Sequence, residues 1–251
     1  MLVRIAKRVV RMVDSTIVRL KKLQYRLIDP ALGSAEWLIK TEIHYGGLVT
    51  NVPRTRVSPN DPRSADELSF GGMTGGDRMF DHGYANIYAH YLADFQDRQD
   101  INLAEIGILK GTGLAIWCDL FPGARVIGLD IDLDHFRNNL EYLNRKGAFS
   151  SNRPILYEFD QLAEDDARSL SEELDGIVLD VVIDDGLHTA DAVINTFVSI
   201  RPFLADRFVY FVEDFPGLLS NARKVFDDFE VHEYGEMSVI LPKNTRADSV
   251  A

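Results

Sequence analysis

A chain of 251 residues with 46% hydrophobic and 26% charged side chains has the composition of a globular protein that buries a sizeable core. Its net charge of −12 disfavours a phosphate-backbone partner, so no nucleic acid is expected, while divalent cations suit it. No uncharged apolar run reaches the ~18 residues needed to span a bilayer. The single cysteine, Cys118, excludes an internal disulfide framework and fits a reducing cytoplasm.

The charge is uneven. Residues 1–30 hold eight of the 27 basic side chains and two of the 39 acidic ones, which leaves the rest of the chain at −18. Leu2, Ile5, Val9, Val13, Ile17, Leu20 and Leu23 recur at helical spacing and predict an amphipathic helix from Leu2 to Leu27. Its apolar stripe is expected to pack on the core or on a second copy of the chain, with membrane contact the lesser alternative, so a homo-oligomer is expected. Pro53, Pro59 and Pro62 among polar residues predict a loop over 50–67, and Gly71 to Asp77 form a second loop; loops this long often act as lids. The expected organisation is an N-terminal helical and lid extension (1–68), a core (69–243) and a polar tail (244–251).

From Ile101 onward, short β-branched runs alternate with helical patterns. Predicted strands are Asn102–Ile108, Arg125–Leu129, Ile155–Phe159, Val178–Ile183, Phe208–Val212, Phe229–Tyr234 and Ser238–Leu241. Predicted helices are Leu114–Leu120, Leu133–Lys146, Gln161–Leu174, Thr189–Arg201 and Gly217–Phe226. Such alternation implies an α/β fold with a mostly parallel sheet covered on both faces. The last two strands have no room for a helix between them and predict an antiparallel hairpin.

Open α/β sheets bind ligands at the carboxyl ends of their strands. The first such end reads Glu105-Ile106-Gly107-Ile108-Leu109-Lys110-Gly111-Thr112-Gly113. Its glycines allow a tight turn and close ligand approach, and the helix behind it can face an anionic group. Asp130 ends the second strand, where a carboxylate can accept from both hydroxyls of a ribose. Short-chain dehydrogenases share the glycine spacing but need a late Tyr-x-x-x-Lys pair. The Tyr142 and Lys146 pair follows the second strand, the wrong place for a nicotinamide.

The fourth strand ends Ile183-Asp184-Asp185-Gly186-Leu187-His188, and the fifth ends Val212-Glu213-Asp214. If these strands adjoin, ~4.8 Å apart, Asp185, Glu213 and Asp214 converge. Clustered carboxylates repel one another unless a cation joins them, and oxygen donors suit Mg²⁺ or Mn²⁺. Taken singly, each such acid is more often a helix cap or a solvated strand end.

The E-x-G-x-x-x-G order at Glu105–Gly111 resembles motif I of class I methyltransferases, whose Rossmann-like seven-stranded sheet also ends in a hairpin. The D-D-G-L-H and E-D blocks resemble the metal-dependent sugar O-methyltransferases, specifically the macrolide-sugar O-methyltransferase and cephalosporin-hydroxylase-like group. The resemblance covers about residues 70–215 and implies S-adenosylmethionine and Mg²⁺ (or Mn²⁺) as cofactors and a sugar-bearing acceptor. It implies Asp185, Glu213 and Asp214 as metal ligands, His188 as base with Asp185 beside it, and Asp160 with Gln161 at the adenine. It also implies that Gly76 and Tyr84 join Glu105, Gly107, Gly111, Gly113 and Asp130 around the cofactor. Gly75-Gly76-Asp77-Arg78…His82-Gly83-Tyr84 departs from the family's G-T-D-K…H-x-Y segment at Gly76 and Arg78. A catechol O-methyltransferase, a dehydrogenase and a non-catalytic cofactor-binding protein are the competing expectations.

Overall fold

The computed structural model describes residues 20–46, 50–70 and 72–243. Of the predicted N-terminal helix, residues 20–25 are helical (α1); its residues 2–19, like the tail 244–251, lie outside the described residues. Next come α2 (Ala35–Tyr45), β1 (Thr50–Val52), α3 (Ala65–Phe70), β2 (Met73–Gly75) and α4 (Ala85–Leu92). The core then alternates β3 (Asn102–Ile106), α5 (Thr112–Leu120), β4 (Arg125–Asp130), α6 (Asp134–Arg145), β5 (Ile155–Glu158) and α7 (Glu164–Glu173). It continues with β6 (Leu179–Asp184), α8 (Ala190–Ile200), β7 (Leu204–Val212), α9 (Leu218–Phe226), β8 (Phe229–Tyr234) and β9 (Met237–Pro242).

Seven strands form one sheet in the order β5-β4-β3-β6-β7-β9-β8. The first five are parallel, and β9 pairs antiparallel with both β7 and β8. The expected hairpin is therefore present, and the order reverses between β3 and β6, where a crevice opens. This is the class I methyltransferase sheet.

Period-two alternation distributes the central strands between two cores. Val181, Ile183, Val209 and Phe211 face a cluster with α2, α4, α5 and α6. Leu179, Val182, Phe208, Tyr210 and Val212 face a second cluster with α7, α8 and α9. Helix starts carry their own signals: Ser34 Oγ accepts from Trp37 N at the head of α2, and Thr189 Oγ1 accepts from Ala192 N at the head of α8, each satisfying an otherwise orphaned amide.

The structure departs from the sequence reading before residue 101. Helices α2 and α4 were not expected, yet Leu38, Tyr45, Tyr88 and Leu92 from them are core residues. The expected loops hold β1, α3 and β2, with β1 pairing antiparallel to β2. Ser64 and Glu67 start α3 with a reciprocal capping pair, Glu67 Oε2 accepting from Ser64 N and Ser64 Oγ from Glu67 N. No helix among the described residues is long and apolar enough to cross a membrane.

Candidate active site

The carboxyl ends of β3 to β7 share one rim and line a cavity of about 700 Å³. Residue 107 must be glycine: its φ is +82°, and an added Cβ would lie 2.0 Å from the carbonyl oxygen of Asp185. The glycine loop is thereby seated against the loop that carries Asp184 and Asp185. Gly113 leaves room for a different neighbour, since a Cβ there would meet Glu105 Oε1 at 2.1 Å. Asp130 Oδ2 accepts from Leu109 N and Oδ1 from Asp132 N, both at 2.9 Å. Each carboxylate oxygen has two lone pairs, so one on each remains for a ribose hydroxyl. Burial raises the pKa of Asp130, opposed by those backbone amides.

Arg78 stands at the centre of the acidic cluster. Its Nη1 donates to Glu105 Oε1 and its Nη2 to Asp185 Oδ2, both at 2.6 Å. Its Nε donates to Glu213 Oε2 at 3.0 Å. The hydroxyl of Tyr88 donates to Glu213 as well. Burial pushes Glu105 up to about 7 against the pull of Arg78, and raises Glu213 well above the usual carboxylate range. Glu105 Oε2 is buried without a hydrogen-bond partner. A bare carboxylate oxygen in the cavity wall fits a cationic centre such as an ammonium or sulfonium.

Asp185, His188 and Asp214 form the cluster open to the cavity, with one ligand atom from each within 4.8 Å of the others. His188 Nδ1 lies 3.1 Å from the carbonyl oxygen of Glu213, and its Nε2 lies 3.7 Å from Asp185 Oδ1. A carbonyl only accepts, so Nδ1 carries the proton and Nε2 of the neutral ring is the free acceptor. Asp214 Oδ1 accepts from Tyr84 at 2.6 Å and lies 3.3 Å from His82 Nδ1. His188 and Asp214 have φ of +57° and +50°, and Leu109 in the glycine loop +45°. Left-handed backbone at non-glycine residues costs about 1–3 kcal/mol each and concentrates where function demands it.

One carboxylate in the rim has another task. Asp184 is buried and pushed up to about 7 by desolvation. Gln161 Nε2 donates to Asp184 Oδ1 (2.8 Å) and Thr196 Oγ1 (2.7 Å), while its Oε1 accepts from Leu187 N (2.7 Å). Gln161 thus braces the 184–188 loop. The segment after β1 packs against the carboxyl ends of β4 and β5. Thr55 bonds Asp132 and His135, Arg56 reaches Glu158 at 2.7 Å, and Asn60 Nδ2 donates to the carbonyl of Leu162.

Of the residues predicted for the site, Gly76, Glu105, Gly107, Gly113, Asp130, Asp160, Gln161, Asp185, His188, Glu213 and Asp214 line this one cavity. Three are placed otherwise than expected. Gly111 faces the ring of Phe136, 2.3 Å from where its Cβ would be, and has φ +79°, so glycine is needed there for packing and for the left-handed turn. Tyr84 is buried with its hydroxyl on Asp214 and steadies that carboxylate instead of lining the cavity. Glu213 is 2% exposed and engaged by Arg78 and Tyr88, so the open cluster contains His188 where Glu213 was expected. Asp160 Oδ1 caps Leu162 N at 2.9 Å and still borders the cavity.

Sequence reasoning missed Tyr88 and Glu42. Glu42 Oε1 and Oε2 accept from the amides of Met79 and Phe80, fixing the segment that carries Arg78. Helical spacing from Leu38 and Tyr45 was the available signal for Glu42.

The topology and the glycine loop at its switch point define the fold of a class I methyltransferase. No protein-family model matches the chain. Over 148 residues it is 30% identical to the 8-demethyl-8-alpha-L-rhamnosyl tetracenomycin-C 2'-O-methyltransferase of Streptomyces olivaceus, a match covering 56% of this chain and 35% of that relative. The chain thus spans about a third of the length of the curated relative it matches. The MycE methyltransferase of the mycinamycin biosynthetic pathway, solved with Mg and SAH, superimposes with a TM-score of 0.51 at 20% identity, over 68% of this chain and 53% of MycE. Its complex with Mg, SAH and mycinamycin VI gives the same score and identity over 65% and 49%.

Proposed function

We propose that this chain is an S-adenosylmethionine-dependent, Mg²⁺-dependent O-methyltransferase acting on a hydroxyl of a sugar in a glycosylated metabolite or oligosaccharide. The observation that carries the reading is the Asp185–His188–Asp214 cluster in the same cavity as the glycine loop and Asp130. Two carboxylates facing one cavity fit a divalent cation; Asp185 and Asp214 would hold it, leaving His188 Nε2 uncoordinated beside them. Asp130 would take the ribose hydroxyls, Asp160 the adenine end, and Glu105 Oε2 the cationic methionine moiety. When bound, S-adenosylmethionine supplies an electrophilic methyl group and Mg²⁺ lowers the pKa of a coordinated hydroxyl.

The chain's own residues do the rest. The carbonyl of Glu213 fixes the His188 tautomer so that Nε2, facing the cavity beside Asp185, takes the hydroxyl proton. Gln161 and Gly107 hold the loop that presents both residues, which converts the encounter of acceptor and donor into a positioned one. The segment from Thr55 to Asn60 shields the nucleotide end from water. The curated relative is by name a 2'-O-methyltransferase of a rhamnosyl tetracenomycin, which favours sugar over catechol. The test is formation of S-adenosylhomocysteine with a panel of rhamnosides and other glycosides, with and without EDTA. Turnover that EDTA abolishes and Mg²⁺ restores is expected; turnover indifferent to chelation would reject the metal role.

A further inference from the structure

Three carboxylates of the rim, two of them the expected metal ligands Asp185 and Glu213, already share one cation of the chain. Arg78 holds Glu105, Asp185 and Glu213 at 2.6, 2.6 and 2.9 Å. Its side chain is 10% exposed, and a guanidinium stays charged at any working pH. The resembling family carries lysine at this position, a compact ammonium that cannot span three carboxylates in a planar fork. The guanidinium therefore takes one oxygen of Asp185 and withdraws Glu213 from the open cluster. It also places a fixed positive charge beside the position where Asp185 would meet a metal.

We propose that Arg78 is a resident cation that competes with the divalent metal for Asp185 and Glu213. The inference rests on the reading of the cavity as a metal-dependent methyltransferase site. In the resting protein the metal has Asp185 and Asp214 within reach, and Glu213 joins only if the guanidinium yields it. Like charges at short range in a partly desolvated site repel strongly, so the consequence is weak metal binding in the absence of other ligands. Glu42, which anchors the amides of Met79 and Phe80, keeps Arg78 in place and maintains the competition.

The test is titration of the protein with Mn²⁺ alone, free ion being read by electron paramagnetic resonance, without donor or acceptor. Arg78→Met removes the competing charge and should lower the dissociation constant at least tenfold. That variant leaves Glu105 and Glu213 buried without a counter-ion, so Arg78→Lys is measured beside it, with folding checked by circular dichroism. The lysine variant keeps a charge but reaches fewer carboxylates, and should bind Mn²⁺ about threefold or more tightly than the parent. Unchanged or weaker binding in a folded Arg78→Lys protein would overturn the inference and make Arg78 an organiser of the ligands. Absence of Mn²⁺ binding in all three proteins would overturn the metal reading itself. Titration of S-adenosylmethionine separates that failure from failure of the methyltransferase reading.

Discussion

Replacement of His188 by asparagine isolates the base. The residue sits at φ +57°, a conformation that asparagine tolerates better than most side chains, so the fold should survive. The asparagine amide can also donate to the carbonyl of Glu213, as Nδ1 does at 3.1 Å. What disappears is Nε2, the acceptor beside Asp185. A positioned general base contributes roughly 10²–10⁴-fold, equivalent to about 3–5 kcal/mol of activation free energy. Turnover followed by S-adenosylhomocysteine release should fall by that factor, while calorimetric affinity for S-adenosylmethionine stays within about twofold. Turnover within threefold of the parent would refute the assignment of the proton to Nε2.

Gln161→Leu removes the brace of the 184–188 loop, taking the acceptor from Leu187 N and the donor to Asp184 Oδ1, which keeps Tyr210 on its other oxygen; urea unfolding should show a loss of about 2–4 kcal/mol, and an unchanged midpoint would contradict the bracing role. The pH dependence of stability has a defined sign: burial pushes Glu42 up from 4.5 to about 7, so the folded state holds that proton more tightly than the unfolded one. Its contribution is full below about pH 4.5 and is lost as pH rises through 7. Unfolding at pH 5, 6, 7 and 8 should therefore show a decline with pH that Glu42→Gln flattens, and parallel profiles for the two proteins would contradict it.

The strands from β3 to β9 were legible because alternating or wholly apolar runs bounded by glycine and acidic residues leave little choice of period. Their ends shifted by one or two residues in most cases, and by four at β7, where Leu204 to Arg207 lead into the strand as a partly exposed stretch. The carboxylate pairs could be placed at the carboxyl ends of two strands, and the structure makes those strands neighbours, β6 pairing parallel with β7. Side-chain direction was less accessible. Tyr84 meets Asp214 across 130 residues of chain, and Arg78 meets Glu213 across 135; no local pattern encodes such pairings. Glu213 and Asp214 are neighbours in sequence, yet strand alternation turns the first inward and leaves the second at the rim. Gly111 was indistinguishable from a ligand-contacting glycine until Phe136 was seen against it. Helix α4 escaped because Ala85, Tyr88 and Leu92, its buried stripe, fall among polar and aromatic residues within eight positions.

The central claim is that this cavity takes S-adenosylmethionine on the glycine loop and Asp130. Calorimetric titration of S-adenosylmethionine into the protein and into Asp130→Ala tests it most directly. Binding in the micromolar range, weakened at least tenfold in the variant, is the predicted result. No heat of binding with the parent protein, with Mg²⁺ present or removed by EDTA, would contradict the account.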